Sequence, residues 1–302
     1  MMDRHNDIVY KGDYGIIKYK DDCILNINSQ LIKELLILYY DMSNANTDIV
    51  LVLSGSEGCG KSLAGRVLGA LFCWLAGTYL KVDNIHFDLL PYLTSSVNGK
   101  KFQVNILDEA KDVLDKKRSM SKSNKAFTDY MSKCRFKNQV HIIILPAVHD
   151  LDTRISLWRM NFLIHNIKLH YKDKESYSGY KLQRGYFKVY KKDSELQKAI
   201  NNYTKVGKYL LPKLYHFHGK FIKNEPFTDE ELILYDEKKN KSIIDVIEKI
   251  KEMENGKADG RIKKERDTLI SLAIDHGIPL DVIADSINKN LSYIKKIKDM
   301  VI

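Results

Sequence analysis

The stretch of the chain that decides the fold is residues 49–62, which read IVLVLSGSEGCGKS. It begins as an apolar run rich in β-branched residues and passes into Gly, which is typical of a buried parallel strand. Its second half fits the pattern Gly-x-x-x-x-Gly-Lys-Ser, and a helix is predicted over residues 61–76. The backbone N–H groups of such a turn, with the helix N-terminus, bind phosphate. The residues of this predicted phosphate-binding loop are Gly55, Ser56, Glu57, Gly58, Cys59, Gly60, Lys61 and Ser62.

Three residues of the loop have distinct predicted roles. Lys61 supplies a positive charge to the phosphates, and the hydroxyl of Ser62 coordinates Mg²⁺. Cys59 is predicted to be a tolerated small residue, and its alternative interpretation as a redox-sensitive thiol is the weaker one.

A second motif, FQVNILDEA at residues 102–110, places two acids directly after a predicted strand. The strand, residues 102–107, delivers Asp108 to the edge of the sheet, where a carboxylate binds Mg²⁺ through water. Glu109 is placed to orient and deprotonate an attacking water. An acid pair that caps a helix is the alternative explanation. Because a phosphate-binding loop precedes the pair in the chain, the catalytic interpretation is the stronger.

Over residues 49–165 the two motifs resemble the Walker A and Walker B motifs of the additional-strand, catalytic-glutamate branch of P-loop NTPases. That branch includes AAA+, RecA-like and FtsK–HerA-like ATPases, among them viral and plasmid DNA-translocating enzymes. The resemblance implies ATP and Mg²⁺ as ligands, hydrolysis rather than transfer to a small molecule, and assembly into a homo-oligomeric ring. No guanine-reading Asn/Thr-Lys-x-Asp motif follows, which agrees with ATP.

The sequence departs from that branch where a sensor residue is expected. The next predicted strand, residues 141–145, runs into Pro146 and Ala147, and the first polar candidate for the sensor is His149. The resemblance also implies an arginine finger that acts across a subunit boundary. Arg154 resembles arginines of DNA-pumping and phage-assembly ATPases, and the other candidates are Arg135 and Arg159.

The alternation of predicted strands and helices indicates an α/β fold. We predict a three-layer P-loop NTPase sandwich with a mainly parallel sheet, followed by a small all-α domain. Further strands are expected at residues 162–169 and 186–190, and irregular structure at 209–232. The predicted domains are an N-terminal hairpin and helix at 1–48, an ATPase core at 49–205, an irregular and helical extension at 206–255, and a C-terminal domain at 256–302.

The C-terminal residues 267–302 have the pattern of three short helices and resemble a helix-turn-helix domain. Ile283, Ala284 and Ile287 share one face, and the buried stripe of the last helix is expected to include Leu291, Ile294, Ile297 and Val301. The predicted DNA-binding residues on its outer side are Ser292, Tyr293, Lys295 and Lys296. A helical bundle used for oligomerisation is the alternative. Residues 254–265 are predicted to be a linker.

The composition favours a polyanionic partner, because the 302 residues carry a net charge of +10 and the pI is about 9.1. A basic stretch at residues 111–137 is a candidate contact with a phosphate backbone, or else a solvated loop. The four cysteines form no Cys-x-x-Cys pair, which argues against a zinc ribbon. Without a long apolar segment, the chain is expected to be cytoplasmic (in the host cytoplasm if viral) and not inserted in a membrane.

These features favour Mg²⁺-dependent ATP hydrolysis coupled to translocation, packaging or remodelling of DNA, with duplex DNA as the partner. Two alternatives remain open. One is a replication initiator or loader that uses ATP as a switch, and the other is a phage-type ATPase for protein assembly or export.

Overall fold

The computed structural model describes residues 4–20, 23–109, 122–148, 151, 155–172, 180–198, 200, 215–222, 225–255, 260–287 and 290–299. The chain divides into two compact units, Met1–Thr228 and Asp229–Ile302. Within the described ranges, no helix combines the length and the apolar character needed to cross a bilayer.

The first unit begins with a small antiparallel sheet and a helix. The strands are β1 (Val9–Lys11), β2 (Tyr14–Lys20) and β3 (Cys23–Asn28), and a short 3₁₀ helix, Arg4–Asp7, precedes them. Helix α1 (Ser29–Asn44) follows, and the side chain of Asn28 caps it by accepting a hydrogen bond from the N–H of Leu31 at 3.1 Å. The predicted N-terminal hairpins and helix are thus confirmed.

A seven-stranded sheet forms the body of the first unit. Its strands are β4 (Ile49–Ser54), β5 (Ile85–His86), β6 (Val104–Leu107), β7 (Val140–Ile144), β8 (Phe162–Lys172), β9 (Tyr180–Lys191) and β10 (Phe217–Lys220). Their order in the sheet is β10-β9-β8-β4-β7-β6-β5. Five neighbouring strands, β8, β4, β7, β6 and β5, are parallel to one another. Strand β9 pairs antiparallel with both β8 and β10. The prediction of an α/β fold with a mainly parallel sheet is confirmed.

One detail of the sheet differs from what the sequence predicts. Residues 217–220, expected to be irregular, form the edge strand β10, which pairs with β9. Strand β7 lies between β4 and β6, and its first residue, Val140, pairs with both Ile49 and Val104. The strands that carry the two sequence motifs are therefore separated by one strand.

Helices pack on both faces of the sheet. Helix α2 (Lys61–Leu75) lies on one face, where its glycines approach Ile106 and Ile144. On the other face, α3 (Leu89–Asn98) and α4 (Lys122–Lys133) contribute Tyr92, Phe127 and Met131 to a buried cluster with sheet residues. Shorter helical segments are Val82–Asn84, Cys134–Lys137 and the π-helical turn Ile155–Arg159.

The second unit is helical in its described residues. It comprises α5 (Asp229–Asn255), α6 (Gly260–Asp275), α7 (Leu280–Ser286) and α8 (Leu291–Asp299). Its buried cluster contains Ile283, Ala284 and Ile287, which confirms the predicted shared face, together with Ile294 and Ile297. The prediction that Leu291 is buried was wrong, because it is 37% exposed. The predicted linker was wrong for residues 254–255, which end α5, and for residues 260–265, which begin α6. Val301 lies outside the described residues.

Candidate active site

The loop at residues 55–60 joins the end of β4 to the start of α2, as the sequence predicts. Gly55, Gly58 and Gly60 all have positive φ angles, of 141°, 65° and 97°. A Cβ on Gly55 would lie only 2.1 Å from the backbone oxygen of Asn166 on β8. Only glycine therefore fits this start of the loop, because it alone combines this φ with so close an approach.

The side chain of Lys61 folds back over the beginning of the loop. Its ammonium donates hydrogen bonds to the carbonyl oxygens of Gly55 at 2.7 Å and Ser56 at 2.9 Å. Burial lowers the pKa of Lys61, and the nearby acidic groups, which include Asp108 and Glu109, oppose that shift. The loop thus holds a cation at its mouth, where an anionic ligand would be attracted.

Ser62 and Asp108 come together from the two motifs. The Ser62 hydroxyl donates a hydrogen bond to Oδ1 of Asp108 at 3.3 Å. Asp108 is only 2% exposed, and its N–H donates to the carbonyl of His86 on β5 at 2.8 Å. A hydroxyl and a carboxylate are hard oxygen donors, and these are the ligands that Mg²⁺ prefers. These two oxygens are the groups at the loop that could hold such a cation.

Glu109 has an unusual backbone conformation. Its φ is 60°, in the left-handed region that residues other than glycine seldom adopt. Its N–H donates to Oδ1 of Asp108 at 3.0 Å, the oxygen that also accepts the bond from Ser62. Strained conformations of this kind cost about 1–3 kcal/mol and concentrate at functional sites. The glutamate that the sequence singles out is therefore held in a constrained turn.

Strand β8 adds polar residues that the sequence analysis missed. Nδ1 of His165 and the hydroxyl oxygen of Ser54, at the end of β4, are hydrogen-bonded at 2.9 Å. Burial, aided by the charges of Lys188 and Lys61, lowers the pKa of His165 to about 4. A cleft of about 570 Å³ borders the loop, and its lining residues are Gly55, Ser56, Pro146, Ala147, His165, Asn166, Ile167 and Lys168. The signal in the sequence that could have identified them is the presence of His165, Asn166 and Lys168 within an otherwise apolar predicted strand.

Of the candidates for the sensor and the arginine finger, the structure describes only Arg135 and Arg159. His149 and Arg154 lie outside the described residues, as do residues 111–121 of the basic stretch. Arg135 is exposed. Arg159 is not available to a neighbouring subunit, because its side chain is 8% exposed and forms an ion pair with Asp48.

That ion pair belongs to a buried cluster at the other edge of the sheet, where β4 and β7 begin. Asp48, Cys134 and His141 each offer one possible ligand atom, and these atoms lie within 4.8 Å of one another. However, the Cys134 thiol donates to Asp48 at 3.3 Å, and burial raises its pKa to about 12. In the structure these groups form a hydrogen-bonded network in which Arg159 pairs with Asp48.

The predicted DNA-binding residues lie on α8 of the second unit. Ser292 and Lys295 are exposed, whereas Tyr293 packs partly against the buried cluster and its hydroxyl donates to Asp267. Tyr293 is thus turned inward, unlike the outward orientation that its position in the sequence predicts. The side chain of Lys296 lies outside the described residues.

The structure therefore gathers Lys61, Ser62, Asp108 and Glu109 around one loop. Each comes from one of the two motifs identified in the sequence, and β8 closes the loop on one side. Neither a protein-family model nor a curated protein sequence matches this chain.

Proposed function

We propose that the chain is a Mg²⁺-dependent ATPase that couples hydrolysis to the translocation, packaging or remodelling of duplex DNA. The observation that carries the proposal is the contact of Ser62 with Asp108 and of Asp108 with Glu109, next to Lys61. These are the groups that phosphoryl transfer to water requires: a cation, two oxygen ligands for a metal and a base.

Each residue has a definite role in this proposal. The N–H groups of residues 55–62 and the ammonium of Lys61 bind the phosphates, and Lys61 exchanges its bonds to the loop carbonyls for phosphate oxygens. Ser62 and Asp108 would hold Mg²⁺, and the bound metal would neutralise charge on the phosphates. Glu109 orients a water molecule and accepts its proton.

The order of the strands supports assignment to the additional-strand branch. Strand β7 lies between β4, which leads to the loop, and β6, which leads to Asp108. An extra strand between the two motif-bearing strands is what the resemblance to that branch implies. The same resemblance supports a homo-oligomeric ring in which Arg154 acts on the neighbouring subunit's nucleotide.

Coupling to DNA is supported by charge. The chain has a net charge of +10, and α8 exposes Lys295 and Lys298 beside Ser292. Lysines on one helix face suit contacts with a phosphate backbone. The second candidate is a protein-assembly ATPase whose C-terminal helices serve oligomerisation. The inward orientation of Tyr293 bears on the choice only by removing one predicted base contact.

The test is ATP hydrolysis with and without duplex DNA. We expect DNA to raise the rate severalfold, and a Lys295→Glu/Lys298→Glu double variant to lose that stimulation because like charges repel the backbone. Lys241→Glu, an exposed lysine on α5, is the matched control and should keep it. A rate that DNA does not change, with no DNA binding at moderate salt, would contradict the coupling and leave protein assembly as the function.

A further inference from the structure

The hairpin formed by β8 and β9 contacts the phosphate-binding loop at two points. The backbone oxygen of Asn166 fills the space beside Gly55, so that a Cβ there would lie 2.1 Å from it. The N–H of Gly185 on β9 donates to the carbonyl of Cys59 at 3.3 Å. These contacts fix the position of both strands relative to the loop.

A β-bulge lies at the second contact. The pairing passes from Ile167 with Tyr186 to Leu169 with Gln183, so β9 has one residue more than β8 in this interval. Gly185 lies in the bulge with a φ of 88°, and its carbonyl accepts a hydrogen bond from the N–H of Phe221 at 2.8 Å. Bulges redirect side chains and are frequent beside active sites. The residue of β8 that faces this bulge is Lys168.

Lys168 brings a second cation to the loop. Its Nζ lies 3.8 Å from the position that a Cβ on Gly58 would occupy, and it lines the cleft together with Gly55 and Ser56. Its charge also acts on the Cys59 thiol: burial raises the pKa of that thiol, and Lys61 and Lys168 oppose the shift.

The charge of Lys168 has no matching carboxylate among the residues that the structure describes. The ion pairs found there involve other lysines, arginines and histidines, and the half-buried Lys168 is in none of them. Beside it, the side-chain amide of Asn166 is 1% exposed and makes no hydrogen bond to any described group. A half-buried cation without a counter-charge favours an anionic ligand at this place.

We propose that Lys168 binds the terminal phosphate of the nucleotide from within the same subunit. The N–H groups of a phosphate-binding loop surround the inner phosphates. A cation that approaches from outside the loop, as Lys168 does from β8, therefore reaches the phosphate at the end of the chain. Lys168 then distinguishes ATP from ADP, the role for which the sequence suggests His149 after β7. This inference rests on the proposed ATPase function.

The test compares the affinity of the full chain for ADP and for the β,γ-imido analogue of ATP, both with Mg²⁺, by calorimetry. We expect Lys168→Ala to weaken binding of the triphosphate about tenfold, the lower range for a charge-assisted hydrogen bond. Binding of ADP should change less than twofold, and Lys168→Arg should restore the triphosphate affinity. Lys172→Ala, an exposed lysine farther along β8, is the control and should match the unmodified chain.

Two results would overturn the inference while leaving the ATPase in place. One is an unchanged affinity of Lys168→Ala for the triphosphate, and the other is an equal loss for both nucleotides. An unmodified chain that binds neither nucleotide would overturn the proposed function and this inference with it.

Discussion

Acidification is expected to destabilise the first unit through His141. This side chain is fully buried, its Nδ1 lies 2.6 Å from the Tyr92 hydroxyl, and its Nε2 lies 4.0 Å from the sulfur of Cys134. Burial lowers the pKa of His141 from 6.5 to about 4; the charge of Arg159 adds to that effect and the charge of Asp48 opposes it. The folded state therefore holds the neutral imidazole.

The magnitude follows from the difference in pKa between the two states. Between pH 6.5 and 4 the unfolded chain binds a proton at His141 that the folded chain does not. The stabilisation is complete above pH 6.5 and is lost as the pH falls towards 4. One pKa unit corresponds to about 1.4 kcal/mol, so the full loss is about 3 kcal/mol. By pH 5 the loss already amounts to about 2 kcal/mol.

The assay is urea unfolding at pH 7.5 and pH 5, followed by tryptophan fluorescence. Both tryptophans of the chain, Trp74 and Trp158, lie in the first unit and report on it. His141→Gln lacks the titrating ring, so its free energy of unfolding should fall less with acid than that of the unmodified chain, by about 2 kcal/mol. The exposed His218→Gln is the control and should keep the full pH dependence.

His165, whose pKa is also lowered to about 4, contributes equally to all three proteins and cancels in the comparison. An identical pH dependence in His141→Gln and the unmodified chain would refute the reasoning. It would mean that His141 is not buried in its neutral form.

Three further predictions concern the loop, an ion pair and a thiol. Gly55→Ala should abolish nucleotide binding, because its Cβ would lie 2.1 Å from the Asn166 oxygen; normal affinity by calorimetry would contradict the close approach. Arg66 and Glu225 form two hydrogen bonds, from Nε to Oε1 at 2.9 Å and from Nη2 to Oε2 at 2.5 Å. A double-mutant cycle by urea unfolding should give a coupling free energy of about 1–3 kcal/mol, and additive effects of the two substitutions would contradict the pair. Burial raises the pKa of the Cys73 thiol to about 12, so Cys73 should resist modification by a maleimide at pH 8 until urea unfolds the chain. Mass spectrometry measures the modification, and rapid modification of the native chain would contradict the burial of Cys73.

The elements around the candidate site could be predicted because their signals are local. Strand β4 and helix α2 follow from a continuous apolar run, a glycine-rich turn and a helical pattern within residues 49–76. The partnership of Ser62 with Asp108 was also predictable, since both residues follow strands that end at the same edge of a parallel sheet.

The features that were missed depend on contacts between distant parts of the chain. Lys168 reaches the loop because β8 pairs with β4, and this register is not encoded in a short stretch. Likewise, Arg159 was a plausible finger until its pairing with Asp48, far away in the sequence, was known. The inward orientation of Tyr293 depends on Asp267 of another helix.

The central claim is that Glu109 is the catalytic base of an ATPase whose nucleotide is bound by Lys61. The most direct measurement is ATP binding and steady-state hydrolysis by the unmodified chain, Glu109→Gln and Lys61→Ala, side by side. Glu109→Gln should bind ATP with normal affinity but hydrolyse it about a hundredfold more slowly or worse, whereas Lys61→Ala should lose both. An unmodified chain without ATPase activity, or a Glu109→Gln variant that hydrolyses ATP at the normal rate, would contradict the claim.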